Sequence, residues 1–462
     1  MGSPPWQGDA CSLVDRFRSG EWSPAEELEA ALAAISASEL NAFCHLDADT
    51  ARATAEGADV NLPLGGVPIA VKQLDAVAGW PLTEASRVFA DRVAQHDATV
   101  VRRLRDAGAV LVGQTTASEF GGLNVSITPL NGVTRNPWDP TRTTGGSSAG
   151  SAAAVAGGLV ALATGGDGGG SIRIPAGFTG LVGMKGTAGR IPRGPETVIG
   201  PLTVVLGCLA RSVRDVARYY DVTNGFDHRD PYSLPRVDGW EGGLGTHQLA
   251  GRKVAVVPDL GNAIVRPEVA AQVEESGRAL ADAAGLEVVD IPIDLPALSV
   301  EWAMANLATL LDELGDRWPD CAADLTLEIG FGLRMASEVF DLRTAAAVER
   351  ARRTANEAMA DVFDRVDFVM CSTNPDVAFG AEVTLVTTVG DRAVGPENAG
   401  ALTIPANISG NPAVSIPAGL VDGVPVGLQV IGRHHQDALL LDLALTAERA
   451  RPWPLVAPGS PR

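Results

Sequence analysis

Only three lysines, at 72, 185 and 253, stand among the 36 Lys and Arg residues of this 462-residue chain. Arginine cannot give up its proton in a protein, whereas a buried lysine can become a neutral base. Lys72 closes the run GGVPIAVK, residues 65–72, and two glycine-serine clusters follow, GGSSAGS at 145–151 and GGDGGGS at 165–171. A deprotonatable amine with serines exposed on glycine turns provides the parts of a serine hydrolase whose base is lysine rather than histidine. The three glycines before Ser171 free the backbone to aim the N–H groups of Gly168, Gly169, Gly170 and Ser171 at one point, as an oxyanion hole requires. Glycine content alone suits a phosphate-cradling loop equally well. No G-x-x-x-x-G-K-[ST] is present, however, and no strand–GxGxxG–helix unit fits.

These groups need elements to hold them. Ser23, Pro24 and Glu26 open a helix over 23–36 with a capping box. Residues 66–72 read as a turn into a short apolar strand ending near Lys72. A helix around 97–107, closed by Gly108, leads to a strand at 109–113, and helix-then-strand pairs recur at 267–284 with 286–293 and at 344–366 with 367–372. Residues 253–258 add a buried strand. The first serine cluster falls at a helix N-terminus. The second falls just past the strand 159–164, where ligands gather in open α/β sheets. The stretch 225–250 is loop-like and marks a boundary between a core and an added lobe. A rival reading takes G-x-S-x-G around Ser148 as the nucleophile turn of an α/β-hydrolase, with His434 or His435 as base. That turn needs an apolar strand before it, and NPWDPTRTT at 136–144 is polar and twice broken by proline.

With 46% hydrophobic and 20% charged residues, the chain has ample core for a globular fold. Its net charge of −20 disfavours nucleic acid and anionic membranes as partners. No signal peptide or membrane span is expected. Five scattered cysteines without C-x-x-C, and no H-x-x-x-H, suit a cytoplasmic setting and give no metal framework. No cofactor is expected.

The residues resemble the amidase signature family of serine amidohydrolases. The likeness is strongest from NPWD (136–139) through GGSSAGSAAAVAGG (145–158) to GGDGGGSIRIPAGFTGLVGMKGT (165–187). It is supported by GVPIAVK (66–72), DAGAVLVGQT (106–115), ANISGNPAVSIPAGL (406–420) and PVGLQVIG (425–432). The resemblance implies Ser171 as the nucleophile that forms an acyl-enzyme, Ser147 as a bridging serine after a cis Gly146–Ser147 bond, and Lys72 as the terminal base. It implies bracing roles for Asp167 and Arg173 and structural hydrogen bonding for Ser148 and Ser151. The chain departs from the family pattern at Gln73, Gly168, Thr179 and Gly186, where aspartate, threonine, cysteine and proline are usual.

The fold implied is one large α/β domain, a mixed twisted sheet flanked by helices on both faces, spanning 1–462. Within it, 1–60 is an N-terminal helical segment, 61–235 with 400–450 the catalytic core, and 236–399 a more variable region shaping substrate access. Trp302, Met304, Phe331 and Phe340 are candidate apolar linings there. The activity implied is hydrolysis of a small or medium, largely uncharged carboxamide, with carbamates and urea derivatives within range and water as co-substrate. The alternatives are an amidotransferase-type amidase that releases ammonia from glutamine with partner subunits, and a non-catalytic scaffold. The resemblance also allows a homodimer.

Overall fold

The computed structural model describes residues 3–125, 127–195 and 203–462. Eleven strands form one mixed sheet in the order Phe43–Leu46, Val110–Thr115, Pro68–Lys72, Leu162–Asp167, Val205–Ala210, Val182–Lys185, Ala413–Val421, Val424–Gly432, Phe368–Ser372, Lys253–Val256 and Glu287–Val288. Pro68–Lys72 lies between two parallel neighbours, Val110–Thr115 and Leu162–Asp167. All three are almost wholly buried, as apolar runs covered on both faces must be. Their carboxyl ends, carrying Lys72 and Asp167, therefore open at the same edge, where a ligand can approach.

Helices cover both faces of this sheet. One apolar cluster joins Leu13, Val14 and Phe17 of the first helix to Val100, Val101 and Leu104 of Thr99–Asp106 and to the helix Val213–Thr223. The other face is filled by Leu28 and Leu32 of Pro24–Ala37 and by the small side chains of Ala149–Ala156. That second helix is alanine, glycine, serine and one valine, and every residue of it is buried. Small side chains let its backbone lie close to the sheet, which seats the serine cluster at its start against the strand ends.

The capping box at Ser23 and Glu26 forms as the sequence predicts. The strand expected over 286–293 is only Glu287–Val288. Pro292 and Pro296 follow it, and proline cannot donate to a sheet ladder, so the chain leaves the edge as an irregular segment. The loop over 225–250 marks no boundary. Trp240 is buried in the core, Glu241 pairs with Arg214 and Arg218 at 2.7 Å, and the following strand Lys253–Val256 re-enters the same sheet.

A helical lobe, Ser299–Leu314, Leu327–Val339 and Leu342–Phe363, stands over the carboxyl edge. Its apolar contacts, Leu310, Leu314, Ile329 and Leu333, pack with Phe89, Phe120 and Leu123 from the loops beside the strand ends.

Candidate active site

Lys72 is 2% exposed and its Nζ lies 2.8 Å from Ser147 Oγ and 3.3 Å from the carbonyl of Gly166. A neutral amine keeps two N–H donors and one lone pair, so it can donate to Gly166 while accepting the proton of the Ser147 hydroxyl. Burial pushes the lysine pKa down to about 8, against the pull of Asp75, Asp167 and Glu84 toward the charged form.

Lys185 shows that burial alone does not select this site. It too is fully buried and depressed to about 7, chiefly by burial and then by Arg173, yet among the described residues its Nζ donates only to the carbonyls of Asn411 (2.6 Å) and Gly186 (3.3 Å). Lys72 differs by having a hydroxyl within reach.

The peptide bond Gly146–Ser147 is cis. The turn it belongs to is held from outside by the N–H of Ser118, which donates to the Ser147 carbonyl at 3.2 Å. Gly121 completes the cover: a Cβ there would stand 3.5 Å from Ser147 Oγ. Ser148 and Ser171 are joined by a backbone hydrogen bond, Ser148 N–H to the Ser171 carbonyl at 3.2 Å, so the two serine turns lie side by side. Ser148 Oγ donates to the Gly166 carbonyl at 3.3 Å and accepts from the Gly166 N–H at 3.4 Å. No strand spans 134–148 to lead directly into it, so the strand–turn–helix of an α/β-hydrolase is not formed. Ser151 spans the space between helix and strand, donating to the Thr164 carbonyl at 2.8 Å.

Ser171 is half-buried at the end of the turn that follows Leu162–Asp167. Gly170 takes a φ of +127°, and a Cβ there would collide with Thr403, so only glycine fits. Each peptide of the turn is pinned. Trp302 Nε1 donates to the Gly168 carbonyl at 2.8 Å, and Thr403 Oγ1 donates to the Gly169 carbonyl at 2.6 Å. Because a trans peptide points its N–H away from its C=O, the first contact fixes the direction of the Gly169 N–H. The Gly170 N–H, one of the four amides expected to face an oxyanion, is already committed. It donates to Asp167 Oδ1 at 2.7 Å, which leaves Gly168, Gly169 and Ser171 as the available amides.

Asp167 and Arg173 are both fully buried and bind each other through two 2.9 Å hydrogen bonds. Burial alone would raise the carboxyl pKa, but Arg173, reinforced by Asn407, holds it well below the usual carboxylate range. The guanidinium also donates to the Thr403 carbonyl (3.0 Å), Gln429 Oε1 (2.6 Å) and Asn407 Oδ1 (2.5 Å), while Asn407 Nδ2 donates back to Asp167. Such a satisfied buried network fixes one geometry. It ties the Gly168–Ser171 turn to the segment 403–429.

Sequence reasoning misses Thr403 altogether, and Gln429 stands in the quoted stretch PVGLQVIG without a role. Asn407 stands in the stretch ANISGNPAVSIPAGL without a role, although a polar residue on the otherwise apolar helix Ile404–Ile408 is a usable signal. Trp302 is expected as an apolar lining, and its indole N–H serves as the donor described above. Met304 and Phe340 are half-buried. Phe331 is 59% exposed and faces solvent, because the apolar contacts of its helix fall on Ile329 and Leu333.

Ile174, which packs near Gly170, also walls a cavity with Phe178, Val377, Phe379 and Val394, with Asn124, Asn374 and Asn398 as polar points. The edge-to-face pair Phe178–Phe379, with centroids 6.0 Å apart, forms one wall. Asp376 is the single charged lining residue among the described ones, and it is occupied by Arg266 at 3.5 Å and by the N–H groups of Val377 and Gly390.

No helix among the described residues is long and apolar enough to cross a membrane. The family described as Amidase matches residues 26–441. The A subunit of the glutamyl-tRNA(Gln) amidotransferase of Symbiobacterium thermophilum is 35% identical, over 94% of this chain and 95% of that protein. Two solved structures superpose almost completely. A bacterial aryl acylamidase of the amidase signature family has a TM-score of 0.90 at 28% identity, covering 98% of each chain, and 6-aminohexanoate cyclic dimer hydrolase has 0.89 at 30%, covering 99% of each. The buried amine beside a serine, the glycine-rich turn and these likenesses agree: the chain belongs to the amidase signature family of hydrolases.

Proposed function

We propose that Ser171 attacks a carboxamide carbonyl while its proton passes through Ser147 to neutral Lys72. The observation that carries this reading is the 2.8 Å contact between Lys72 Nζ and Ser147 Oγ in a buried setting that depresses the lysine pKa. As the Ser171 Oγ–carbon bond forms, the carbonyl electrons move onto oxygen, which the N–H groups of Gly168, Gly169 and Ser171 would receive. Lys72 then returns its proton through Ser147 to the amide nitrogen. The C–N bond breaks and an amine or ammonia leaves, where an amide anion could not. Water attacks the resulting acyl-enzyme, giving its proton to the same relay, and the acid departs as Ser171 is re-protonated. Asp167 and Arg173 brace the turn in this scheme, and Ser148 holds its shape.

The substrate we favour is an uncharged carboxamide with an apolar acyl group. The cavity near the turn offers phenylalanine, valine and isoleucine walls, three asparagines, an Asp376 paired with Arg266 and, among the described residues, no lining lysine or arginine. A free α-carboxylate buried there would lack a cation, which is costly. The helical lobe within 236–399 would shape access, since Trp302 reaches the turn itself. The five cysteines are free thiols, which fits the reducing cytoplasm expected for this chain.

A second reading, a glutamine-using component of an amidotransferase that works with partner subunits, is favoured by the 35% identity to such a protein over nearly its whole length. One experiment separates the two: the purified chain is assayed for ammonia or amine release from aryl amides, aliphatic amides, carbamates and glutamine. Turnover of uncharged amides by the chain alone supports the first reading. Glutaminase activity that appears only with partner subunits supports the second, and no hydrolysis of any member under either condition refutes both.

A further inference from the structure

Whether Lys72 is neutral depends on the charges that face it, and these come from three directions. Asp75 lies in the turn after the lysine's own strand, Asp167 at the end of Leu162–Asp167, and Glu84 in the loop leading toward Thr99–Asp106. Two of the three already have cations: Arg173 binds Asp167 at 2.9 Å and Arg92 binds Glu84 at 3.1 Å. Asp75, only 8% exposed, forms no ion pair with an arginine among the described residues. Helix Val213–Thr223 sets the buried phenol of Tyr219 toward it, a group that stays neutral because burial drives its pKa up.

Asp75 is tied to Lys72 at both ends of that residue. Its N–H donates to the Lys72 carbonyl at 2.8 Å, closing the turn. Its Oδ2 accepts the hydroxyl of Thr164 at 2.7 Å, and the same hydroxyl oxygen accepts the Lys72 N–H at 2.9 Å. Thr164 is in turn fixed through its carbonyl by Ser151. These bonds fix the Asp75 carboxylate relative to the backbone of Lys72.

We propose that Asp75, held by Thr164, is a positioning residue that acts as the counter-charge of Lys72 and so sets the pH at which the relay base becomes available. This rests on the reading of Lys72 as the base. A negative Asp75 favours the ammonium, so it moves the onset of activity upward in pH, and its removal moves the onset downward. Burial raises the carboxyl pKa of Asp75, against the opposing hydrogen bond of Thr164 and the charge of Lys72.

The test uses two pH titrations of the whole chain. One is the rate of covalent inactivation by a fluorophosphonate. The other is the 15N signal of the side-chain amines in lysine-labelled protein, which has only three such groups to assign. Asp75→Asn should lower the midpoint of both curves by about one pH unit, and Asp75→Glu should restore much of the shift. Thr164→Val should lower it by less, while Thr164→Ser, which keeps the hydroxyl, should hold the wild-type midpoint. If Asp75→Asn does not fold, the Thr164 pair decides. Unchanged or raised midpoints in Asp75→Asn, or equal midpoints for Thr164→Val and Thr164→Ser, overturn the proposal. A wild-type rate with no midpoint that follows the Lys72 signal instead refutes Lys72 as the base.

Discussion

In Asp167→Asn, a guanidinium that is fully buried loses its one carboxylate partner among the described residues. Arg173 would keep three neutral acceptors, the Thr403 carbonyl and the side-chain oxygens of Gln429 and Asn407. Removing one partner of a buried ion pair costs about 3–5 kcal/mol, because the remaining charge stays out of water. The upper half of that range applies here, since the new amide turns an N–H toward Arg173 where an acceptor stood. Urea unfolding followed by tryptophan fluorescence measures the loss, with Trp302, bonded to the Gly168 carbonyl, as a local reporter. A loss below about 1 kcal/mol would mean that the guanidinium finds water or another anion, and the bracing role would fall. Pairing the change with Arg173→Met should recover part of the stability, because a neutral pair carries no stranded charge. The pH dependence follows from the depressed carboxyl of Asp167. Its stabilising contribution is complete above the unfolded carboxyl pKa near ~4 and fades as the pH falls toward the folded value, so the wild type should lose stability in acid and the double variant should lose less.

Three further outcomes are expected. Ser171→Ala should abolish fluorophosphonate labelling, whereas Ser148→Ala should leave the label on Ser171; peptide mass spectrometry locates it, and a label confined to Ser148 would contradict the assignment. Trp302→Phe keeps the ring but loses the donor to the Gly168 carbonyl, so kcat should fall by up to about tenfold with KM little changed, as loss of one neutral hydrogen bond allows. Gly170→Ala should inactivate the chain and lower its thermal midpoint, because Thr403 occupies the space its Cβ needs; wild-type activity in that variant would refute the turn geometry.

What the sequence made legible was the local part of the site. Lys72 at a strand end, Ser148 at a helix start and Ser171 past a strand all follow from residue type and short-range pattern. The pins that orient the nucleophile turn could not be read that way. Trp302 and Thr403 lie 134 and 234 residues from the carbonyls they bind, so no spacing announces them. The bond from the Gly170 N–H to Asp167 was not legible, because glycine content says that a backbone can turn and says nothing about which N–H a neighbouring carboxylate will take. In the fold, Pro292 and Pro296 cut short a strand that hydrophobic content suggested. The loop over 225–250 has the composition of a linker, yet Trp240 and Glu241 anchor it to the core. The solvent-facing Phe331 shows the same limit, since which face of an amphipathic helix is covered depends on its partners.

The central claim is that neutral Lys72 drives Ser171 through Ser147, and the most direct measurement is the pH dependence of Ser171 labelling in the wild type and in Lys72→Arg. The wild-type rate should rise through a midpoint near pH 8, and the Lys72→Arg rate should stay close to background, because arginine cannot accept the proton. Rapid labelling of Ser171 in Lys72→Arg, or a wild-type rate that is flat from mildly acid to alkaline pH, would contradict it.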